Sequence, residues 1–294
     1  MKSAIPVCIL VGAILTLFVA CGEDDAPTEP LLHVRIVFDA DQQRLDNLGD
    51  PATIPPGHAA QTPVVQQLGI HSLELLRDAF VLPGEGAEVF SGALTDAGGS
   101  SAIDFDQQVL TSGDEVVISV PLADVPAGTY RYTRSSIGYQ NYDVRFRYTD
   151  PVLGSLDLTG RLANFLGFNT YITSFAVDEE SVTVNDDRLQ GYWAFEASYG
   201  GVTTVETGQA PATTVVNPLA DTSPIPVGSC LVTGIFQDPL LLTGSETEDI
   251  TVTLSVSIND SFEWEDVTPD GHWEPLAGED PVDMGLRGIV ATWE

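Results

Sequence analysis

Between residues 142 and 148 apolar and charged side chains alternate without a break. Val144, Phe146 and Tyr148 fall on one side of an extended chain, and Asp143, Arg145 and Arg147 on the other. Successive side chains of a strand point to opposite faces, so a period of two marks a strand with one buried face. Comparable short runs recur at 33–38, 64–67, 116–120, 130–134, 155–162, 169–177, 181–184, 191–197, 202–206, 231–236, 250–258 and 286–292. Clusters of Gly, Pro, Asp and Ser separate them, and residues 50–63 read as a Pro- and Gly-rich loop. Residues 70–82 are ambiguous: Leu73, Leu75 and Leu76 allow a helix, whereas Ile70, Ser72, Glu74 and Asp78 suit a half-buried strand. The surroundings decide for a strand. No long amphipathic helix is visible, so the expectation is an all-β chain folded as an antiparallel β-sandwich. One unit over residues 31–294 is expected. Two packed β subdomains meeting near 150 are the alternative, because Asp150 precedes Pro151 and a pre-proline residue favours extended backbone. No repeat of fixed period is present, which disfavours propellers and solenoids.

The N-terminus sets the expected compartment. Lys2 precedes an apolar run over residues 4–20, interrupted only by Pro6, Gly12 and Thr16. These are the charged and apolar regions of a secretion signal, residues 1–20. The run falls slightly short of the roughly 20 apolar residues of a membrane span. Its end, Leu17-Phe18-Val19-Ala20-Cys21, resembles the lipobox of bacterial lipoproteins, with Phe18 where that family prefers Leu. The resemblance implies cleavage before Cys21 and acylation of its thiol, giving a membrane partner through a lipid anchor. Each buried CH₂ of such a chain contributes about 0.8 kcal/mol. Gly22 is not the Asp that retains enterobacterial lipoproteins in the inner membrane. Glu23-Asp24-Asp25 resembles the surface-export signal of Bacteroidetes-type lipoproteins, which implies outer-membrane placement and display at the cell surface. Residues 21–30, acidic and carrying Pro27 and Pro30, read as a tether. With segments such as Gly138-Tyr139-Gln140-Asn141-Tyr142-Asp143 and Leu189-Gln190-Gly191-Tyr192-Trp193, the whole chain resembles large lipid-anchored β proteins of unassigned function in such bacteria.

A formal net charge of −32 narrows the partners. Lys2 is the only lysine, so beyond the signal the strong cations are all arginines. Phosphate-backbone binding needs clustered cations, so nucleic acid is not an expected partner. Anionic lipid head groups are disfavoured for the same reason. Without lysine, no Schiff base or lysine general base is available. The charge fits three causes: solubility, a supply of calcium ligands, or halophilic adaptation. Halophilic adaptation is the preferred background cause, since self-repulsion is screened as the Debye length shrinks from about 10 Å at 0.1 M salt to about 3 Å at 1 M. Cys8 leaves with the signal and Cys21 is acylated, so Cys230 stands alone as an expected buried strand cysteine with no disulfide.

One ligand motif stands out. Asp266, Thr268, Asp270 and Gly271 occupy offsets one, three, five and six of an EF-hand-type loop, and the carbonyl of His272 takes the seventh. Thr268 stands where the family has Asp or Asn, Pro269 stiffens the turn, position twelve is Ala277, and the nearest closing acid is Glu279. The segment resembles degenerate calcium loops of secreted bacterial proteins, and the resemblance implies calcium held by Asp266, Thr268, Asp270, His272 and Glu279. An acidic turn without metal is the plain alternative. Arg131, Arg134, Arg145 and Arg147 form either an oxyanion patch or ion pairs with the many acids. Tyr130, Tyr132, Tyr139, Tyr142 and Tyr148, with Trp193, form either a sugar-stacking platform or a core and its rim. No catalytic constellation is visible: His33, His58, His71 and His272 lack metal-ligand spacing, and no nucleophile elbow or phosphate loop occurs. The expected function is a non-enzymatic module binding a protein or carbohydrate ligand. The alternatives are a carbohydrate-active hydrolase using paired carboxylates and a metal-handling lipoprotein.

Overall fold

The computed structural model describes residues 29–46, 48–210 and 230–294. The signal, Cys21 and the tether up to residue 28 lie outside the described residues. Those described are predominantly strand, and the all-β class expected from the two-residue period is the class observed.

The first nine strands are β1 (Leu31–Asp39), β2 (His58–Gln61), β3 (Val64–Leu76), β4 (Ala87–Ser91), β5 (Leu94–Thr95), β6 (Ala102–Asp104), β7 (Val109–Thr111), β8 (Glu115–Pro121) and β9 (Gly128–Asp150). After them come β10 (Gly154–Phe165), β11 (Asn169–Ala176), β12 (Ser181–Leu189), β13 (Tyr192–Tyr199), β14 (Val202–Gln209) and β15 (Leu231–Leu242). The last are β16 (Ile250–Ser257), β17 (Phe262–Glu265), β18 (Pro281–Asp283) and β19 (Ile289–Trp293). The large sheet runs β14-β13-β10-β9-β15-β19-β16-β1-β8, with β3 also paired to β9 and carrying β4 and β7. Two smaller sheets run β12-β11-β6-β5 and β18-β17-β2. Three pairs, β1 with β16, β15 with β19 and β11 with β6, are parallel, so the sheets are mixed and not purely antiparallel.

Strand β9 is the axis of the molecule. It is 23 residues long, and its middle, from Thr133 to Tyr142, is buried on both faces. One edge pairs with β3 from Tyr132 to Asp143; the other pairs first with β15 and then with β10. The sequence suggested two separate strands here, over 130–134 and 142–148. Several of the polar side chains in this stretch instead find partners inside the fold. Thr133 Oγ1 donates to the Glu74 carbonyl at 3.0 Å, and Asn141 Nδ2 donates to the Val177 carbonyl at 2.8 Å. Buried polar groups are tolerated when hydrogen-bonded in this way. Gln108 presses against Gly138: a Cβ there would lie 2.2 Å from Gln108 Oε1 and would displace that side-chain amide.

Other expectations shift in detail. Residues 64–67 and the ambiguous stretch from 70 join into the single strand β3, which ends at Leu76. The loop expected over 50–63 contains β2. At Asp150-Pro151 the chain makes a tight hairpin, with Asp150 paired to Gly154 and β9 and β10 adjacent in one sheet.

Two apolar clusters result. The larger contains Leu32, Val34, Ile36, Tyr142, Phe262, Trp264, Trp273 and Leu254. The smaller, with Phe105, Tyr139, Phe165, Phe175 and Tyr192, also draws residues from the β12-β11-β6-β5 sheet. Phe165 is its hub, with ring centroids 4.9–5.3 Å from Phe105, Tyr139 and Phe175, within the range of favourable edge and tilted packing.

Candidate functional site

The C-terminal half of β9 continues with β10, β13 and β14 into a four-stranded surface. Register places Tyr142 beside Leu162, Leu162 beside Phe195 and Phe195 beside Glu206. Further along, Phe146 pairs with Leu158, Tyr148 with Leu156 and Tyr199 with Val202. Gly160 lies under the Phe195 ring, which its absent Cβ would meet at 2.5 Å. The deeper rows are sealed by Trp273, whose ring stands edge-on to Phe195 at 4.9 Å and to Phe262 at 4.8 Å. The outer rows are open. They form a groove of about 380 Å³ lined by Tyr148, Leu158, Tyr199 and Val202, with Pro275 and Leu276 closing it from the other side. Tyr148 and Tyr199 pack at 5.3 Å, and the Tyr199 hydroxyl donates to Asp150 Oδ2 at 3.3 Å. Glu206 is the one charged residue in the lining.

A second concavity, about 170 Å³, lies beside the first, and Phe146 lines both. Its lining includes Gln61, Arg145, Asp157, Trp264, His272 and Trp273. The loop between β17 and β18 supplies walls to both spaces: Gly271 to Trp273 on the polar side, Pro275 and Leu276 on the apolar side.

This loop contains the residues expected to hold calcium, and the carboxylates of Asp266, Asp270 and Glu279 accept hydrogen bonds within the fold. Asp270 Oδ1 accepts from the His272 N–H at 2.9 Å, while Oδ2 accepts from Arg147 Nη1 at 3.1 Å. Asp266 Oδ1 accepts from the Asp270 N–H at 3.4 Å. Glu279 is buried, and its carboxylate accepts from the backbone N–H groups of Thr268 at 3.3 Å and Glu274 at 2.8 Å. Its own carbonyl accepts from Trp273 Nε1 at 3.0 Å. Burial raises the Glu279 carboxyl above the ordinary range, against the lowering effect of its two N–H donors. Gly271 and Gly278 take positive φ values of 73° and 90°, which permit the sharp turns. Among the described residues no three His, Cys, Asp or Glu side chains are grouped to hold a metal ion. In this arrangement Asp270 is engaged by Arg147, and Glu279 by two N–H groups.

The arginine patch does not assemble. Arg134 is buried, donating to the carbonyls of Val81 at 2.7 Å and Ala79 at 2.9 Å, with Glu74 at 3.8 Å. Arg147 forks onto Asp157, with Nε to Oδ1 at 2.9 Å and Nη2 to Oδ2 at 3.4 Å. That contact holds the Asp157 carboxyl below its usual range and raises the guanidinium. The tyrosine platform does not assemble either. Tyr130, Tyr139 and Tyr142 are core residues, and Tyr148 alone of the set lines the groove. Its partner Tyr199, with Phe195, Leu158 and Glu206, carried no separate signal, since each looks like an ordinary alternating strand residue. The four histidines stay apart: His33 meets Ser119, His58 meets Glu263, His71 meets Ser136 and His272 meets Arg147. Cys230 is buried, and desolvation pushes its thiol up to about 12, which leaves it protonated and unsuited to nucleophilic attack.

Fold and concavities together define the class as an all-β protein with an aromatic groove at the open end of its larger core. Comparison with protein-family models, with curated proteins and with solved structures finds no match to this chain.

Proposed function

We propose that this protein is a lipid-anchored module of the cell envelope that binds a neutral carbohydrate in the aromatic groove. The carrying observation is the pairing of Tyr148 and Tyr199 at the mouth of a groove whose lining has a single carboxylate, Glu206. Aromatic faces pack against the apolar face of a sugar ring, while the tyrosine hydroxyls, Thr204 and Glu206 offer hydrogen bonds to its hydroxyls. Hydrolysis by paired carboxylates needs two such groups roughly 5–9 Å apart across the cleft. The groove supplies one, and Asp157 in the neighbouring pocket is tied to Arg147. That favours binding over the hydrolase alternative.

The experiment is calorimetric titration with a panel of neutral oligosaccharides. At least one should bind, and Tyr199→Ala should weaken it by about tenfold, the loss of one stacking contact. No binding across the panel, or equal binding by Tyr199→Ala, would overturn the proposal. Anchoring rests on Val19-Ala20-Cys21 following the apolar run. Cys21→Ser should move the protein from the membrane to the soluble fraction, and unchanged partitioning into detergent would refute the anchor.

A further inference from the structure

The side-chain hydrogen-bonding groups of the aromatic groove are confined to its mouth and to one edge strand. Alternate positions of β9, β10 and β13 line it with Phe146, Tyr148, Leu158, Ala197 and Tyr199. Register sets Thr204 beside Ala197 and Glu206 beside Phe195, so the two polar lining residues besides the tyrosines both lie on β14, the outermost strand of this surface. Thr204 Oγ1 already donates to the Ala197 carbonyl at 3.4 Å, and the Tyr199 hydroxyl to Asp150. Pro275 and Leu276, which close the groove from the other side, have side chains of carbon alone. Leu276 is 68% exposed and Val202 63%, and both line the groove. Exposed aliphatic side chains that continue an aromatic lining form an apolar patch of the kind that marks a ligand surface.

A bare sugar carries hydroxyls around its whole ring. Laid in this groove, it would turn some toward β14 and press others onto Leu158, Pro275 and Leu276, where a hydroxyl loses water and gains no partner. Charge narrows the ligand further. No cation lines the groove, and its one charged residue is the carboxylate of Glu206, so an acidic amphiphile would meet a like charge. At about 380 Å³ the groove falls in the size range of pockets for ligands larger than one sugar ring. Resting on the carbohydrate reading above, we propose that the ligand is an uncharged glycoside bearing an apolar substituent, alkyl or aryl. Its sugar stacks at Tyr148 and Tyr199 and hydrogen-bonds toward β14, while the substituent covers Leu158, Pro275 and Leu276.

The test titrates the full chain, by calorimetry, with methyl, hexyl and phenyl glycosides of glucose, galactose and mannose, kept below their micellar range, and with 1-hexanol. The hexyl and phenyl arms separate a lipid-like from an aromatic substituent, and a gain with either supports the proposal. A fully buried methylene is worth about a fourfold gain in affinity. The groove is open on one side, so for at least one sugar the hexyl or phenyl glycoside should bind tenfold or more tighter than the methyl glycoside. Leu276→Ser should remove most of that gain and leave the methyl glycoside unchanged; Leu276 is exposed, so its replacement should leave the fold intact. Methyl glycosides that bind as tightly as hexyl and phenyl ones would overturn this inference and leave the carbohydrate reading standing, and so would a gain that Leu276→Ser does not reduce. Hexanol binding as tightly as the hexyl glycosides, or no glycoside binding at tens of millimolar, would overturn both.

Discussion

Replacing Glu263 with alanine is expected to cost about 3–5 kcal/mol of folding stability, the usual penalty for stripping one partner from a buried ion pair. Glu263 sits on β17, 2% exposed, with one carboxylate oxygen on Arg44 Nη2 and the other 2.6 Å from His58 Nδ1. Arg44 also donates to the Asp260 carbonyl. Burial already lowers the affinity of Arg44 for its proton, and the nearby Arg287 lowers it further; Glu263 opposes both. Without Glu263, Arg44 keeps its desolvation cost and loses its counter-charge. Urea unfolding at neutral pH should show a lower midpoint at nearly unchanged slope. The double variant Arg44→Met/Glu263→Leu should recover most of the loss, because an apolar pair of similar volume replaces the ions without their desolvation cost. A loss below about 1 kcal/mol for Glu263→Ala would mean that water reaches the pair and screens it.

The second large effect is expected at Trp273. Its ring closes the space between β13 and β17, against Phe195 and Phe262, and its N–H ties the loop to the Glu279 carbonyl. Its own carbonyl accepts from the Arg147 N–H at 2.7 Å, so the residue also fastens the loop to β9. Trp273→Ala should cost about 3–5 kcal/mol, the range for deleting a large buried aromatic. Because Pro275 and Leu276 follow directly, the same change should abolish ligand binding in the groove. Trp273→Phe should retain most of the packing and lose about 1 kcal/mol with the hydrogen bond. Groove binding that survives Trp273→Ala would show that the loop is positioned by Glu279 alone.

Both effects lie in places where single-sequence reading was least informative. His58 belongs to a segment that reads as loop, and Glu263 lies just before the one that reads as calcium-binding. Their pairing joins residues 205 positions apart through a sheet of three short strands. The acidic segment over 266–279 was legible as a special turn: its glycines take the positive φ values that such a turn requires. What fills the turn was not legible. The spacing of Asp266, Thr268 and Asp270 suits a cation in isolation, but Arg147, from a strand more than a hundred residues earlier, takes Asp270 instead. A guanidinium carries the positive charge that the local pattern asks for.

Local chemistry was enough to establish the strand class, most of the strand positions and the fate of Cys230. The period of two is a property of adjacent residues, and a lone cysteine flanked by Leu231 and Val232 has few places to go but a core. Tertiary structure alone decided the rest. It joined two strand signals into β9, whose Ser135 and Ser136 are paired with β3 on one side and β15 on the other. It also made three strand pairs parallel, and it laid the 266–279 loop across the end of the β9-β10-β13-β14 surface. There ordinary alternating residues such as Tyr148, Tyr199 and Arg145 become the walls of two concavities. Pairing partners and loop placement depend on side chains that meet across long stretches of chain, and a pattern read along neighbours carries no record of which distant surface will cover which.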